Sequence, residues 1–143
     1  MNAATILKAK GREVQTVRPE MTLEEAARVM TDRGIGCVVV VERPGALAGI
    51  LSERDIVREI ALGGAARLKS RVADAMTRTV HCCRLMDTID QLLSEMTVRR
   101  FRHIPVVEQG ELVGLVSIGD VVKLRIAEAE METEAMRAYI TTG

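Results

Sequence analysis

Apolar residues recur along the chain with two alternating periods. Leu23, Ala26, Ala27 and Met30 follow helical spacing behind Thr22, whose capping partner is Glu25. A helix is therefore predicted from Thr22 to about Arg33, stopped by Gly34 and Gly36. Cys37 to Val41 is an unbroken apolar run, as in a strand buried on both faces, and the Pro44-Gly45 turn leads into a partner strand at Leu47–Leu51. A helix follows from Ser52 to about Leu62. The same order returns downstream: a helix from Thr88, capped with Gln91, to about Val98, strands at His103–Glu108 and Leu112–Val116, and a helix from Ser117 onward. Short strands are predicted before each unit's first helix, at Val14–Val17 and Thr79–Cys82, giving β-α-β-β-α twice. A short helix over residues 3–9, stopped by Gly11, precedes the first unit. A loop from Gly63 to about Arg71 links the units, and Val72 to Met76 forms a single helical turn.

The two units are copies. Thr22 to Arg33 lies over Thr88 to Arg99 at an offset of 66, which drops to 65 after the hairpin because the first turn is one residue longer. A length change confined to a turn is the mark of a duplicated structural unit. The best repeated stretch is Gly49-Ile50-Leu51-Ser52-Glu53-Arg54-Asp55, returning as Gly114-Leu115-Val116-Ser117-Ile118-Gly119-Asp120. Each copy puts a hydroxyl and a carboxylate in the first turn of a helix, beside backbone N–H groups that suit phosphate. Ser and Asp there also cap any helix, so duplication is what makes the pair a candidate site.

The last helix departs from the repeat. Val122, Ile126, Ala129, Thr133, Met136 and Ile140 alternate at four–three spacing, and no Gly or Pro interrupts the run to about Thr141. Its distal part is expected to pack on another chain or to fold back across its own module.

Composition narrows the function. Twenty basic residues balance 20 acidic ones, and Phe101 and Tyr139 are the only aromatics in 143 residues. Neither a nucleic-acid partner nor base-stacking platforms are expected. There is no apolar run of spanning length and no signal-peptide pattern, so no membrane role is expected and the compartment read from the sequence is the cytoplasm. Cys37, Cys82 and Cys83 make neither a disulfide framework nor a zinc site and are read as core or half-buried thiols. The chain has no P-loop, no His-Glu-x-x-His and no Gly-x-Ser-x-Gly, so it is not expected to be an enzyme.

The duplicated Gly-h-h-Ser-x-x-Asp, with Phe101-Arg102-His103-Ile104-Pro105-Val106-Val107 before the second hairpin and Met76-Thr77 ahead of the second unit, resembles a tandem pair of cystathionine-β-synthase (CBS) domains. Such a pair is called a Bateman module, here of the stand-alone bacterial type. The resemblance implies an α+β fold of two repeats, 10–65 and 72–127, packed with pseudo-twofold symmetry as one module of two three-stranded sheets, plus a helical extension over 128–143. It implies two clefts that take adenosine-containing ligands, AMP foremost, with ATP, NADH and S-adenosylmethionine as other members' ligands. The function it implies is regulatory, an energy-sensing module acting on a protein partner the sequence does not name. The alternative is an interaction or oligomerisation module of the same fold without a working ligand site. A homodimer is expected, with Ala26, Ala27, Met30, Leu92, Leu93 and Met96 and the seam from Val122 to Ile140 as its apolar faces.

By the same resemblance Asp55 and Asp120 are the ribose contacts, and Ser52 and Ser117 lie at phosphate or ribose. Arg102 and His103 point into the cleft toward phosphate, where Arg suits paired hydrogen bonds. The first copy has Gly36-Cys37 there, so Arg54 is expected to supply its charge. Thr77 and Thr79 bring hydroxyls to the nucleotide, with Gly11 and Glu13 in the equivalent first-copy places. Val14, Ile35, Val38, Val80, Ile104 and Pro105 are expected near adenine. The second copy's Thr77, Arg102, His103, Ser117 and Asp120 are together expected to form the tighter cleft.

Overall fold

The capping residues set the helix boundaries seen in the structure, a computed structural model that describes residues 1–142. Asn2 caps helix α1 (Ala3–Lys10) with a reciprocal capping box, and Gly11, at φ 96°, ends it. Strand β1 is only Thr16–Val17. Thr22 caps α2 (Leu23–Arg33) by accepting from the Glu25 N–H at 3.1 Å, while the Glu25 carboxylate takes the Thr22 hydroxyl rather than the N-cap backbone N–H. Strands β2 (Cys37–Arg43) and β3 (Ala46–Ser52) form the first hairpin, and Ser52 caps α3 (Glu53–Gly63). The linker is more ordered than expected, with a 3₁₀ segment over Ala65–Lys69 before α4 (Val72–Ala75). The second repeat contributes α5 (Ile89–Arg99), boxed between Thr88 and Gln91, then β4 (His103–Glu108), β5 (Glu111–Ser117) and α6 (Ile118–Thr142).

In the first repeat β2 lies between β1, parallel to it, and β3, antiparallel to it. Its central position explains the unbroken apolar run: Val38, Val39 and Val40 are completely buried. The second sheet has two strands, and the expected strand at Thr79–Cys82 is absent; only Cys83 bridges to Val106. The reason is Pro105. In the first repeat the Val39 N–H donates to the Gln15 carbonyl and holds β1 in place. Pro105 stands at the equivalent position and has no N–H to give, so the segment before Cys83 leaves the sheet.

Each repeat's core is completed by the segment that precedes the other repeat. Ala3, Ile6 and Leu7 of α1 are buried with Leu92, Met96, Ile104 and Val116 of the second repeat, while Val72, Ala75 and Met76 are buried with Leu23, Met30 and Leu51 of the first. Main-chain bonds fix the exchange: the Ala3 N–H donates to Asp87 C=O at 2.9 Å, and the Val72 N–H donates to Met21 C=O at 2.7 Å. The exchange also brings residue 77 onto β3. Thr77 and Ile50 trade both main-chain bonds, Thr77 N–H to Ile50 C=O at 2.9 Å and the return at 3.0 Å.

Two expectations about surfaces change. Ala26, Met30, Leu92 and Met96 are buried in the two cores rather than offered to a partner. The distal part of α6 does not fold back on the module. It continues as one exposed helix, with Met136 62% and Ile140 73% accessible. Its proximal half is tethered by Arg125 to Asp90 at 3.7 Å and by the N-terminal ammonium to Glu128 at 3.4 Å.

Candidate functional site

The exchange of segments builds a cleft of about 290 Å³ between the repeats. One wall is the end of β3 and the first turn of α3, with Ile50, Ser52, Glu53, Arg54 and Asp55. Thr77, bridged to Ile50, and the segment after it add Thr79, Val80 and His81. Gly36 and Cys37 from one repeat and Arg100, Phe101, Arg102 and His103 from the other complete the lining.

The structure therefore assembles the sequence candidates crosswise. Ser52, Arg54 and Asp55 of the first copy share the cleft with Thr77, Thr79, Val80, Arg102 and His103 of the second. Of the expected grouping with Ser117 and Asp120, Thr77 leaves, because the chain from Met76 to Thr79 runs along β3, not β5, while His103 pairs with Ser117 across β4 and β5 and feels the Asp120 charge. Ser117, Asp120, Gly11, Val14 and Ile35 do not line this cleft. Ile104 is 2% exposed within the second core, and Pro105 is buried beside it. Gly36, Cys37, Ile50, Glu53, His81, Arg100 and Phe101 line it without having been singled out as site residues. For Arg100 a signal existed in the repeat: it stands where the first copy has Gly34.

Among the described residues Asp55 is the one buried charged side chain, 6% exposed. Its Oδ2 accepts from the Ser52 N–H at 2.8 Å and the Ser52 hydroxyl at 3.2 Å, and its Oδ1 accepts from the Arg58 guanidinium at 2.9 Å. Oδ1 has acceptor capacity beyond the Arg58 bond, and the Arg58 side chain is 55% exposed and easily moved. Burial, reinforced by the Asp55 charge, pushes the neighbouring Cys37 thiol up to about 12, so it stays protonated and unreactive.

Charge in the cleft is positive on balance, three arginines against Glu53 and Asp55. Arg54, Arg100 and Arg102 all line it, and none of the three side chains has a hydrogen-bond or ion-pair partner among the described residues. Arg100 also carries backbone strain. It caps α5 in the left-handed region, φ 59°, where Gly34 caps α2 at φ 64°. A non-glycine residue held there costs about 1 kcal/mol or more, which is typical of positions kept for function. Arg100→Gly is expected to raise stability by about 1 kcal/mol in urea denaturation while weakening anion binding at the cleft.

His81 stacks on Phe101 with ring centroids 5.6 Å apart and lies 3.0 Å from the Arg99 guanidinium. His103 is half-buried. Burial lowers its pKa from the ordinary 6.5, Lys10 and Arg102 lower it further, and Asp120 partly opposes them. Because the folded value lies below the unfolded one, the stability tied to neutral His103 is present above about pH 6.5 and is lost as pH falls. Urea midpoints should drop between pH 7.5 and pH 5.5 in the native chain and drop less in His103→Gln. Equal slopes would show that His103 is not the group responsible.

A model of the CBS domain matches residues 10–62 and 72–127. The chain belongs to the CBS domain family. This CBS pair resembles a crystal structure of a CBS-domain containing protein from Agrobacterium tumefaciens, with 46% identity and a TM-score of 0.84 over 87% of this chain and 99% of that one. It is 35% identical to the mitochondrial CBS domain-containing protein CBSX3 of Arabidopsis thaliana, over 96% of this chain and 71% of that protein. It also shares its fold with a structure of CBSX2 in complex with AMP, at 19% identity and a TM-score of 0.72, over 80% of this chain and 90% of that one. Among the described residues of the CBS pair, no helix is long and apolar enough to cross a membrane.

Proposed function

We propose that this CBS pair is a regulatory module that binds a phosphate-bearing adenine mononucleotide in the cleft between its repeats. The observation that carries the proposal is the convergence of Arg54, Arg100 and Arg102, without partners among the described residues, on a cleft that also holds the buried carboxylate of Asp55. Unpaired guanidiniums answer phosphate, and an Asp at a helix start answers ribose hydroxyls. The N–H groups opening α3 add to the phosphate field. A volume of about 290 Å³ lies at the low end for ligand pockets, which favours AMP, ADP or ATP over a dinucleotide such as NADH. AMP bound to the similarly folded CBSX2 supports the same ligand class.

Regulation follows from the cleft's construction. Its walls come from both repeats, so a nucleotide bridging Asp55 and Arg102 favours the relative arrangement of repeats in which both reach it. A partner protein that reads the arrangement completes the mechanism. The exposed apolar side chains Val57, Leu62 and Val98, with Ile126 of the expected seam, supply surface for a homodimer. Light scattering at micromolar concentration should give twice the chain mass; a monomer mass would remove the dimer from this picture.

Titration calorimetry with adenosine, AMP and ATP tests the ligand. Affinity should rise with each phosphate, about tenfold or more for every additional hydrogen bond between phosphate and guanidinium, and should fall with added salt. Equal affinity for adenosine and ATP would exclude a phosphate site, and no binding would leave the CBS pair as an interaction module.

A further inference from the structure

The pseudo-symmetric counterpart of this cleft, at Ser117 and Asp120, is built differently because of an insertion. The main-chain bonds that match Ala3 with Val72 and the strand register that matches Val17 with Cys83 bracket corresponding segments. Nine residues lie between Leu7 and Val17, but only six between Met76 and Cys83. The three additional residues are Lys8, Ala9 and Lys10, and they prolong α1 to eight residues where α4 has four. The six-residue segment that walls the first cleft, Thr77 to Cys82, keeps its length at the second as Gly11 to Thr16 but begins one turn of helix further on.

Lys10 is the consequence. Its ammonium donates to the Leu115 carbonyl at 3.1 Å and to Asp120 Oδ2 at 2.7 Å. Leu115 corresponds to Ile50, whose carbonyl in the open cleft is held by the Thr77 N–H. The side chain therefore crosses the sheet end where a bound nucleoside would lie and ends on the carboxylate that corresponds to Asp55. The Ser117 N–H also donates to the same Asp120 oxygen, at 2.8 Å. Burial alone would raise the Asp120 pKa, but the bonds from Lys10 and Ser117 outweigh it and hold the carboxyl below its usual range, as a carboxylate. The counterparts of Arg54, Arg100 and Arg102 here are Gly119, Gly34 and Gly36, while Arg102 and His103 stand in turn where the first cleft has Gly36 and Cys37, and Lys10 and Asp120 both act on His103. Lys10 is the cation in contact with this cleft's carboxylate, and that contact occupies it.

We infer that the second cleft is a latent nucleoside site kept closed by Lys10, so that each chain takes one nucleotide, at Asp55. This rests on the nucleotide reading of the first cleft for the ligand class only. Both side chains are partly exposed, 38% for Lys10 and 24% for Asp120, so the pair can be opened without unpacking a core.

Backbone amide NMR of the full chain titrated with AMP, and separately with adenosine, tests it. In the native chain AMP should shift the amides of Ser52 and Arg54 and leave those of Ser117 and Gly119 in place. In Lys10→Ala both ligands should shift all four, and Lys10→Ala with Asp120→Ala should lose the Ser117 and Gly119 response again. Lys10→Gln, which keeps the stem and a donor for Leu115 but not the charge, serves if the alanine variant alters the spectrum at large. The inference is overturned if Ser117 and Gly119 respond in the native chain, which would make Lys10 a ligand-binding cation, or if they stay still in both Lys10 variants. Failure of the first-cleft reading is seen separately, as still amides at Ser52 and Arg54.

Discussion

Asp55→Ala is expected to weaken AMP or ATP binding by about ten- to a hundredfold, the strength of hydrogen bonds to a charged group, while Asp120→Ala changes it little. From the sequence the larger effect belongs to Asp120. The geometry reverses the order, because Asp55 faces the arginine-lined cleft and Asp120 faces Lys10. Part of any loss in Asp55→Ala comes from the helix, since the carboxylate also closes the capping box with Ser52. Asp55→Asn separates the two: its amide oxygen keeps the cap, so the fold should hold while binding falls. Calorimetry on the three variants decides the matter. If Asp120→Ala abolished binding and Asp55→Ala did not, the nucleotide would sit in the other cleft.

The largest effect on the fold is expected at Gly49. A methyl group there would lie 2.7 Å from the Thr77 carbonyl oxygen and 2.8 Å from Met76 Sδ. The carbonyl is backbone, fixed by the two main-chain bonds to Ile50, so the conflict cannot be relieved by a side chain turning away. Overpacking of this kind costs about 1–3 kcal/mol. Gly49→Ala should lower the urea midpoint accordingly and, by lifting residues 76–79 off β3, weaken nucleotide binding as well. Gly110→Ala is the matched control: it too removes a glycine, one at φ 77°, but no heavy atom stands within 4 Å of the added methyl, so only backbone strain is added. A native-like midpoint and affinity for Gly49→Ala would mean that the close approach does not hold the cleft wall. Gly114 occupies the same place in the second repeat, with Leu7 of α1 against it, so the glycine of the repeated motif serves the exchange of segments in both halves.

What could be read along the chain was what depends on near neighbours. Thr22, Ser52, Thr88 and Ser117 marked helix starts because an N-cap is satisfied within three residues, and the His103–Glu108 strand matched its prediction because period and turn are local too. Duplication and motif were also legible, and with them the family and the α+β fold. The partner of a segment was not. Thr77 and Thr79 stand beside the second repeat in sequence but pair with the first in space, because Met76 finds its hydrophobic contacts around Leu51 and Gly49 leaves room for the chain to pass. The strand expected at Thr79–Cys82 has adequate propensity and no donor opposite it, a fact fixed by Pro105 more than twenty residues away. Lys10 lay just past the short helix expected over residues 3–9, and it closes a cleft at Asp120, 110 positions along. Sequence thus determined which chemical groups the protein owns and where its helices and hairpins begin. Only tertiary structure decided which carboxylate faces the arginines and which faces a lysine, because that depends on long-range pairing, where one missing N–H or one extra helical turn redirects a whole segment.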